Sequence, residues 1–475
     1  MLFNSFPFLI FFPVVTLFYF LVPNKIRRIW LLIASYFFYM SWNWRYGFLL
    51  LFCTLVSFFG AIAVEKLRKK AVLAVSASIL LAVLFFYKYA DFSIRLAAQI
   101  ASFAHHALPL NHLDIVLPVG ISFFTFQALG YLVDVWRGEI KAERNFANYA
   151  LFVSFFPQLV AGPIERSGNL LHQLEKPRSF NFDGAKRGLF LILWGLFLKL
   201  VIADRAAIFV NAAYGSWESA NGFLLMLATI LFAFQIYCDF YGYSIIAKGA
   251  ALILSIELMD NFSAPYFATS IQDFWRRWHI SLSTWFRDYV YIPLGGSRCS
   301  KLRRNMNIII VMLASGIWHG AGIHFAAWGL FHGVLQVAER MAKPVLSIVP
   351  KSFRWAGTFF WTCVAWVLFR ADSIITALKM LKKMARTVLH LDFFSGKELL
   401  AYGLCEKDLH LLFTSILILL SADFLKYKNV SVPQLVAQRN PALQMAAVAL
   451  SVMLISIYGI WGSDYNAASF IYFQF

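Results

Sequence analysis

One histidine among the ten in this 475-residue chain closes a long apolar run, Asn305-Met-Asn-Ile-Ile-Ile-Val-Met-Leu-Ala-Ser-Gly-Ile-Trp-His319. An imidazole takes and gives a proton near neutral pH. Activating a hydroxyl or protonating a leaving group requires that chemistry. Arg298, Lys301, Arg303 and Arg304 precede the run with no acid among them, which marks a cytoplasmic end. From Asn305 to His319, a helix rising about 1.5 Å per residue advances about 21 Å into a hydrocarbon core about 30 Å thick. His319 is therefore expected past the midplane, where an ionisable group is costly and is a functional candidate by default. The bland alternative is a neutral ring satisfied by a backbone carbonyl or a nearby tyrosine. The apolar run continues to Val337, too long for one helix, and Gly320-Ala-Gly322 is the natural break. His324 and His332 lie further along it and are secondary candidates. His105, His106, His112, His172, His390 and His410 lie in polar stretches or near helix ends and read as solvated.

A second segment concentrates aromatic and charged residues: Asp273-Phe-Trp-Arg-Arg-Trp-His-Ile-Ser-Leu-Ser-Thr-Trp-Phe-Arg-Asp-Tyr-Val-Tyr-Ile-Pro-Leu-Gly-Gly296. Wound as a continuous helix, it places Trp275, Trp278, Leu282, Trp285, Phe286 and Tyr289 on one face. His279 falls at the edge of that face, while Arg276, Arg277, Thr284, Arg287 and Asp288 take the other. Asp273 and Arg277 are spaced to pair. The segment is too polar for a lipid-exposed span and too aromatic for a free loop. It suits an interfacial or re-entrant helix lining a cavity, ended by Pro293 and Gly295-Gly296. An aromatic-belt helix with snorkelling arginines fits the composition equally well.

These residues must be held by elements that live in a membrane. The chain is 60% hydrophobic and only 14% charged, with 50 phenylalanines, against about 25% charged residues in soluble domains. No soluble core absorbs that much apolar surface without splitting into several domains. Apolar segments near 6–22, 29–42, 46–64, 71–90, 116–135, 147–162, 188–203, 222–240, 307–319, 323–338, 353–369, 409–424 and 442–461, with a shorter run at 245–256, predict about 11–13 membrane helices. They form one polytopic domain over 1–475. The first run, Phe6 to Val22, has no basic residue ahead of it and no small-residue cleavage site, so it reads as a retained helix rather than a signal peptide. The net charge of +18 would point to nucleic acid in a soluble protein. In a membrane protein it reflects Lys and Arg facing anionic lipid headgroups, and no nucleic-acid partner is expected.

Basic loops at 25–28, 65–70 and 137–144 fall on one side, the cytoplasmic one, if the N-terminus is extracytoplasmic. The basic loop 165–187 breaks that pattern if 147–162 spans. Pro157 and Gly162-Pro163 mark that segment as re-entrant instead, which membranes tolerate where protein buries the backbone. The five cysteines are far apart, show no CxxC spacing, and read mostly as buried apolar residues rather than as a disulfide framework or metal site. No P-loop, HExxH, GxGxxG or Ser/His/Asp order is present. The residues alone lead to a membrane protein with a buried histidine and a polar re-entrant helix, and not to a reaction.

The Asp273–Gly296 string resembles the membrane-bound O-acyltransferase family, in its bacterial alginate O-acetyltransferase branch, almost without gaps. Gly316-Ile-Trp-His319-Gly-Ala321 is similar to the family's catalytic-histidine motif. Leu117-Pro-Val-Gly-Ile-Ser-Phe-Phe-Thr-Phe-Gln127, Phe156-Pro-Gln-Leu-Val-Ala-Gly-Pro-Ile-Glu-Arg166, Asn261-Phe-Ser-Ala-Pro-Tyr266 and the ending Phe470-Ile-Tyr-Phe-Gln-Phe475 also match. The likeness runs from residue 1 to 475, with the family core at about 110–370. It departs from the branch at Asp239-Phe-Tyr-Gly-Tyr-Ser-Ile245, where Ile245 replaces the usual second carboxylate.

That resemblance implies an all-α integral membrane bundle with re-entrant segments around a central tunnel, in a bacterial inner membrane. It implies a cytoplasmic acyl thioester donor, acetyl-CoA, no bound cofactor or metal, and an extracytoplasmic hydroxyl on an exopolysaccharide or cell-wall glycan. A serine-esterase-like partner outside the membrane is part of the same expectation. His319 would be the base, or would activate the donor, and His279 would help position substrate. Asn261, Trp275, Trp278, Ser283 and Trp318 would line the tunnel. Electrostatics adds Arg276, Arg277 and the basic loop 298–304 as contacts for the donor's phosphates. D-alanyl transfer toward teichoic acid is the alternative within the family, and a transporter without acyl chemistry the alternative outside it. The latter predicts inverted repeats with paired broken helices, and none is discernible in the sequence.

Overall fold

The computed structural model describes residues 1–103, 113–176, 178–390 and 395–461. His105, His106, His112 and the closing Phe470–Phe475 string lie outside the described residues. All regular structure among the described residues is helical. Five helices are long and apolar enough to cross a bilayer, Arg45–Leu67, Lys70–Ala98, Gly222–Ile253, Glu406–Tyr427 and Pro441–Tyr458, with Phe6–Leu21 a shorter apolar one. Helices Asn24–Met40, Ile121–Arg137, Phe182–Phe197, Lys301–His319, Ile323–Met341 and Lys351–Arg370 occupy further expected segments.

Two sequence expectations change here. The runs 222–240 and 245–256 are one helix, Gly222–Ile253. Gly242, between the two runs, lies against another helix: a Cβ there would stand 2.9 Å from the Gly195 carbonyl oxygen. The small residue permits close helix contact and is no break. The second change concerns Ile374–His390, a basic amphipathic helix that apolarity alone did not reveal. Of the cysteines only Cys53 and Cys238 are buried, and Cys405 is exposed.

The chain folds as two units, residues 1–185 with 250–259, and residues 186–249 with those from 260 on. In the first unit, Phe146–Ser154 is stopped by Phe155 and a short turn, Phe156–Leu159, follows. Residues 148–165 are all buried. Irregular backbone at this depth needs protein partners. The Phe152 carbonyl accepts from both Gln127 Nε2 and Gln158 Nε2 at 2.8 Å. The loops 65–70 and 137–144, placed on one side by charge, are joined by Glu65, which accepts from the Ala142 amide at 3.1 Å and pairs with Arg144.

The second unit contains the histidines. Its centre is a helical hairpin, Lys301–His319 and Ile323–Met341, broken at Gly320–Gly322 as the sequence predicts. Gly316 and Gly329 meet face to face. A Cβ on Gly316 would strike the Phe325 carbonyl, and one on Gly329 the Met312 carbonyl.

Candidate active site

The aromatic segment is not one helix. Ile271–Arg277 ends at Trp278, and Ile280–Phe286 begins after His279. His279 has φ 44° and ψ 55°, a left-handed conformation that costs a side-chain-bearing residue energy and clusters at functional sites. The break turns His279 from the edge of an apolar face into the fully buried corner between two short helices. The first of these is capped by Ser270 and by Glu339, whose carboxylate accepts from the Ile271 amide at 2.8 Å. The expected Asp273–Arg277 pair forms at 3.0 Å.

A short loop holds the corner from the other side. Ser263 N donates to Arg277 O and Ile280 N to Asn261 O, both at 2.9 Å. Asn261 Oδ1 lies 3.1 Å from His279 Nδ1 and accepts from Ser281 N at 3.3 Å and Ser281 Oγ at 2.9 Å. The Ser281 amide can only donate, which identifies the Asn261 atom facing it as oxygen. His279 Nδ1 must therefore donate to that oxygen, and in the neutral ring Nε2 carries the lone pair.

His319 reaches the same state by a different route. It is the last residue of its helix, and its Nδ1 lies 2.6 Å from the Ser315 carbonyl. A carbonyl only accepts, so Nδ1 holds the hydrogen and Nε2 again is the basic nitrogen. The two rings stand 6.4 Å apart, centroid to centroid, and nearly perpendicular. Trp318 touches both, at 5.1 Å from His319 and 6.0 Å from His279. Trp328 and Phe369 close around His319, and Phe240 packs on His279 at 4.7 Å. The structure thus places two imidazole bases in one buried aromatic box. Such an arrangement can take a proton from a hydroxyl.

The other residues singled out in the sequence divide. Asn261, Trp318, His279 and His319 converge. Trp275 donates to His332 Nδ1 at 3.3 Å, one layer away behind Trp328. Trp278 is buried among Phe262, Phe274 and Trp366 and braces the corner. Ser283 is half-buried and its hydroxyl turns back to the Trp278 carbonyl at 3.3 Å. Arg277 is engaged by Asp273, by the Ser263 carbonyl and by the Tyr427 ring, whereas Arg276 is exposed. His332 is fully buried and His324 half-buried, while His172, His390 and His410 are exposed.

Sequence reasoning missed what holds this loop. Lys426 Nζ donates to the Phe262 carbonyl at 2.7 Å and lies 3.3 Å from the Tyr241 hydroxyl. One turn earlier on the same helix, Asp423 accepts from the Tyr237 hydroxyl at 2.8 Å. Tyr237 and Tyr241 stack, and both pack on Phe262, the neighbour of Asn261. A carboxylate and an ammonium within the apolar helix Glu406–Tyr427 were the available signal. Asp260 pairs with Lys248 at 2.7 Å. Burial would raise its carboxyl, but the cations of Lys248 and Lys426 outweigh that and hold it below the ordinary carboxylate value. Deeper in the unit, Lys199 lies on a π-helical turn, Leu198–Ala203, and pairs with Asp204 at 2.8 Å and Asp239 at 2.7 Å. Ile245, where the branch carries a carboxylate, is packed as an apolar residue. Among the described residues no group of His, Cys, Asp and Glu is arranged to hold a metal ion.

Comparison with known proteins joins this geometry to a family. The profile of the membrane-bound O-acyltransferase family matches residues 137–378. The chain is 38% identical to a probable alginate O-acetylase of Azotobacter vinelandii, over 81% of this chain and 78% of that one. It is 36% identical to a peptidoglycan O-acetyltransferase of Helicobacter pylori, over 75% and 73%. Likeness to a teichoic acid D-alanyltransferase of Bacillus subtilis is lower, 27% over 52% and 64%. With a matched core, high identity over most of its length and a helical, multi-pass membrane architecture, the chain belongs to the membrane-bound O-acyltransferase family, in the branch of the alginate O-acetylases, and is an O-acyltransferase.

Proposed function

We propose that this enzyme O-acetylates an exopolysaccharide or cell-wall glycan, carrying an acetyl group from cytoplasmic acetyl-CoA to a hydroxyl on the far side of a bacterial inner membrane. The names of its relatives support a glycan acceptor. The observation that carries the chemistry is the shared state of His279 and His319, each with Nδ1 committed to an oxygen acceptor and Nε2 basic. His319 Nε2 takes the proton of the attacking hydroxyl, whose oxygen forms the new bond to the thioester carbonyl carbon. As the carbon–sulfur bond breaks, the thiolate leaves with the proton from the His319 imidazolium. His279, its ring fixed by the Asn261 oxygen, packs beside the incoming hydroxyl and positions it without sharing its proton. Asn261 and Trp318 border the passage in which the two substrates meet, Trp275 and Trp278 brace it from behind, and Ser283 steadies its corner. Arg276, with the basic cluster 298–304, attracts the phosphates of the donor at the cytoplasmic mouth. An extracytoplasmic serine-esterase-like protein relays the acetyl group where the acceptor is a polymer.

Inverted membrane vesicles holding wild type, His319→Ala or His279→Ala, supplied with radiolabelled acetyl-CoA and enclosing candidate glycans with or without the partner, test this reading. A general base contributes about 10²–10⁴-fold. His319→Ala is expected to lose that factor in kcat, whereas His279→Ala raises KM more than it lowers kcat. Equal transfer by wild type and His319→Ala would sink the assignment.

A further inference from the structure

The helix Ile374–His390 is too basic to cross a bilayer and is held on the surface of the second unit. Lys383 donates to the carbonyls of Trp217, at 3.2 Å, and Glu218, at 2.6 Å. A Cβ on Gly222 would strike Thr387. Ala377, Met380, Met384 and Thr387 form its buried face. The remaining surface has two sectors. At about 100° per residue, the exposed Lys379, Lys382 and Arg386 gather within about 60° of arc. Beside them Leu378, Val388 and Leu389 stand outward, Leu389 79% exposed. No Asp or Glu lies between Ile374 and His390.

The helix's position makes this charge unusual. Phe369, at the end of Lys351–Arg370, lies against His319 at 5.9 Å. The basic cluster 298–304 is at the opposite end of the His319 helix. Ile374–His390 therefore belongs to the membrane end away from that cluster. Basic residues collect on the cytoplasmic side of membrane proteins, so three outward-facing cations on one helix at the other end point to a local anionic counterpart.

We infer that the exposed face of Ile374–His390 binds anionic phospholipid in the leaflet nearer His319, with Lys379, Lys382 and Arg386 on the headgroup phosphates and Leu378, Val388 and Leu389 among the acyl chains. A soluble polyanion would satisfy the cations and leave the adjoining apolar sector in water. A lipid satisfies both sectors at once, as for helices lying in the interfacial plane. The inference needs only the membrane architecture and does not depend on the acyl-transfer chemistry.

Full-length protein in a neutral detergent is titrated with dioctanoyl phosphatidylglycerol or dioctanoyl phosphatidylcholine while Tm is read. Wild type is expected to gain Tm with the anionic lipid at far lower concentration. Each of Lys379→Gln, Lys382→Gln and Arg386→Gln should raise the midpoint about fivefold, whereas Lys379→Arg keeps it. Leu378→Gln with Leu389→Gln should weaken binding without altering its salt dependence. Equal shifts with the two lipids, or undiminished selectivity in the triple glutamine variant, overturn the inference. So does tighter binding of a soluble polyuronate than of phosphatidylglycerol, which would make the face a polymer site.

Discussion

Asn261→Ala removes one oxygen and strands three donors: His279 Nδ1–H, Ser281 N–H and Ser281 Oγ–H. The serine hydroxyl can rotate to another carbonyl. The amide and the ring cannot, because His279 is pinned at a left-handed residue between two helices. A buried donor without an acceptor costs about 1–3 kcal/mol, and for the ring that energy is the preference for its present tautomer and orientation. At about 1.36 kcal/mol per decade, a loss of 1–3 kcal/mol corresponds to about 5- to 150-fold in the hydroxyl-aiming step. The assay is labelled acetyl transfer in vesicles by wild type, Asn261→Ala, His279→Ala and the double variant. If Asn261 acts only through His279, the double variant is no slower than His279→Ala alone. Fully additive losses, or an unchanged rate in Asn261→Ala with folded protein, would refute the reasoning.

Lys426→Met leaves the Phe262 carbonyl without its ammonium and should cost about 1.5–3 kcal/mol, read as a lower Tm, with Lys426→Arg recovering part of it. Gly329→Leu drives a side chain into the Met312 carbonyl and the Gly316 backbone and should abolish both expression of folded protein and transfer. Gly357→Leu, at a glycine where an added Cβ meets nothing within 4 Å, should leave both unchanged. The Lys248–Asp260 pair involves a carboxyl held below its ordinary value. Its stabilisation is therefore complete above about pH 4 and is lost as pH falls through the lowered value. Asp260→Asn should lower Tm at neutral pH and erase that acid-side loss. An identical acid limb in the variant would contradict the sign.

Periodicity and glycine placement made much of the fold legible. The hairpin break at Gly320–Gly322 follows from a run too long for one helix, and Pro157 with Gly162-Pro163 marked 147–162 as re-entrant, within which the structure ends a helix at Phe155. Wheel geometry failed at Trp278–His279. It assumes continuous helix, and the left-handed turn is stabilised by hydrogen bonds to Asn261, 18 residues before His279 in sequence, which no local pattern encodes. Arg277 was legible as a partner of Asp273 from spacing. Its further contacts with Ser263 and Tyr427 are tertiary. Asp423 and Lys426 were visible as charges in an apolar helix, but their partners on Gly222–Ile253 were not.

The two histidines look interchangeable in sequence, and the helix ends distinguish them. His319 lies in the final turn of Lys301–His319, where the unpaired carbonyls form the negative end of the dipole. A ring there becomes cationic at reduced cost when it accepts the hydroxyl's proton. His279 instead precedes the first turn of Ile280–Phe286 and caps none of its amides. Both rings are buried, His279 fully and His319 nearly so, which limits how far solvent levels this difference. In the transfer proposed above, that asymmetry, more than the burial the two share, would suit His319 to carry the proton and His279 to guide the hydroxyl.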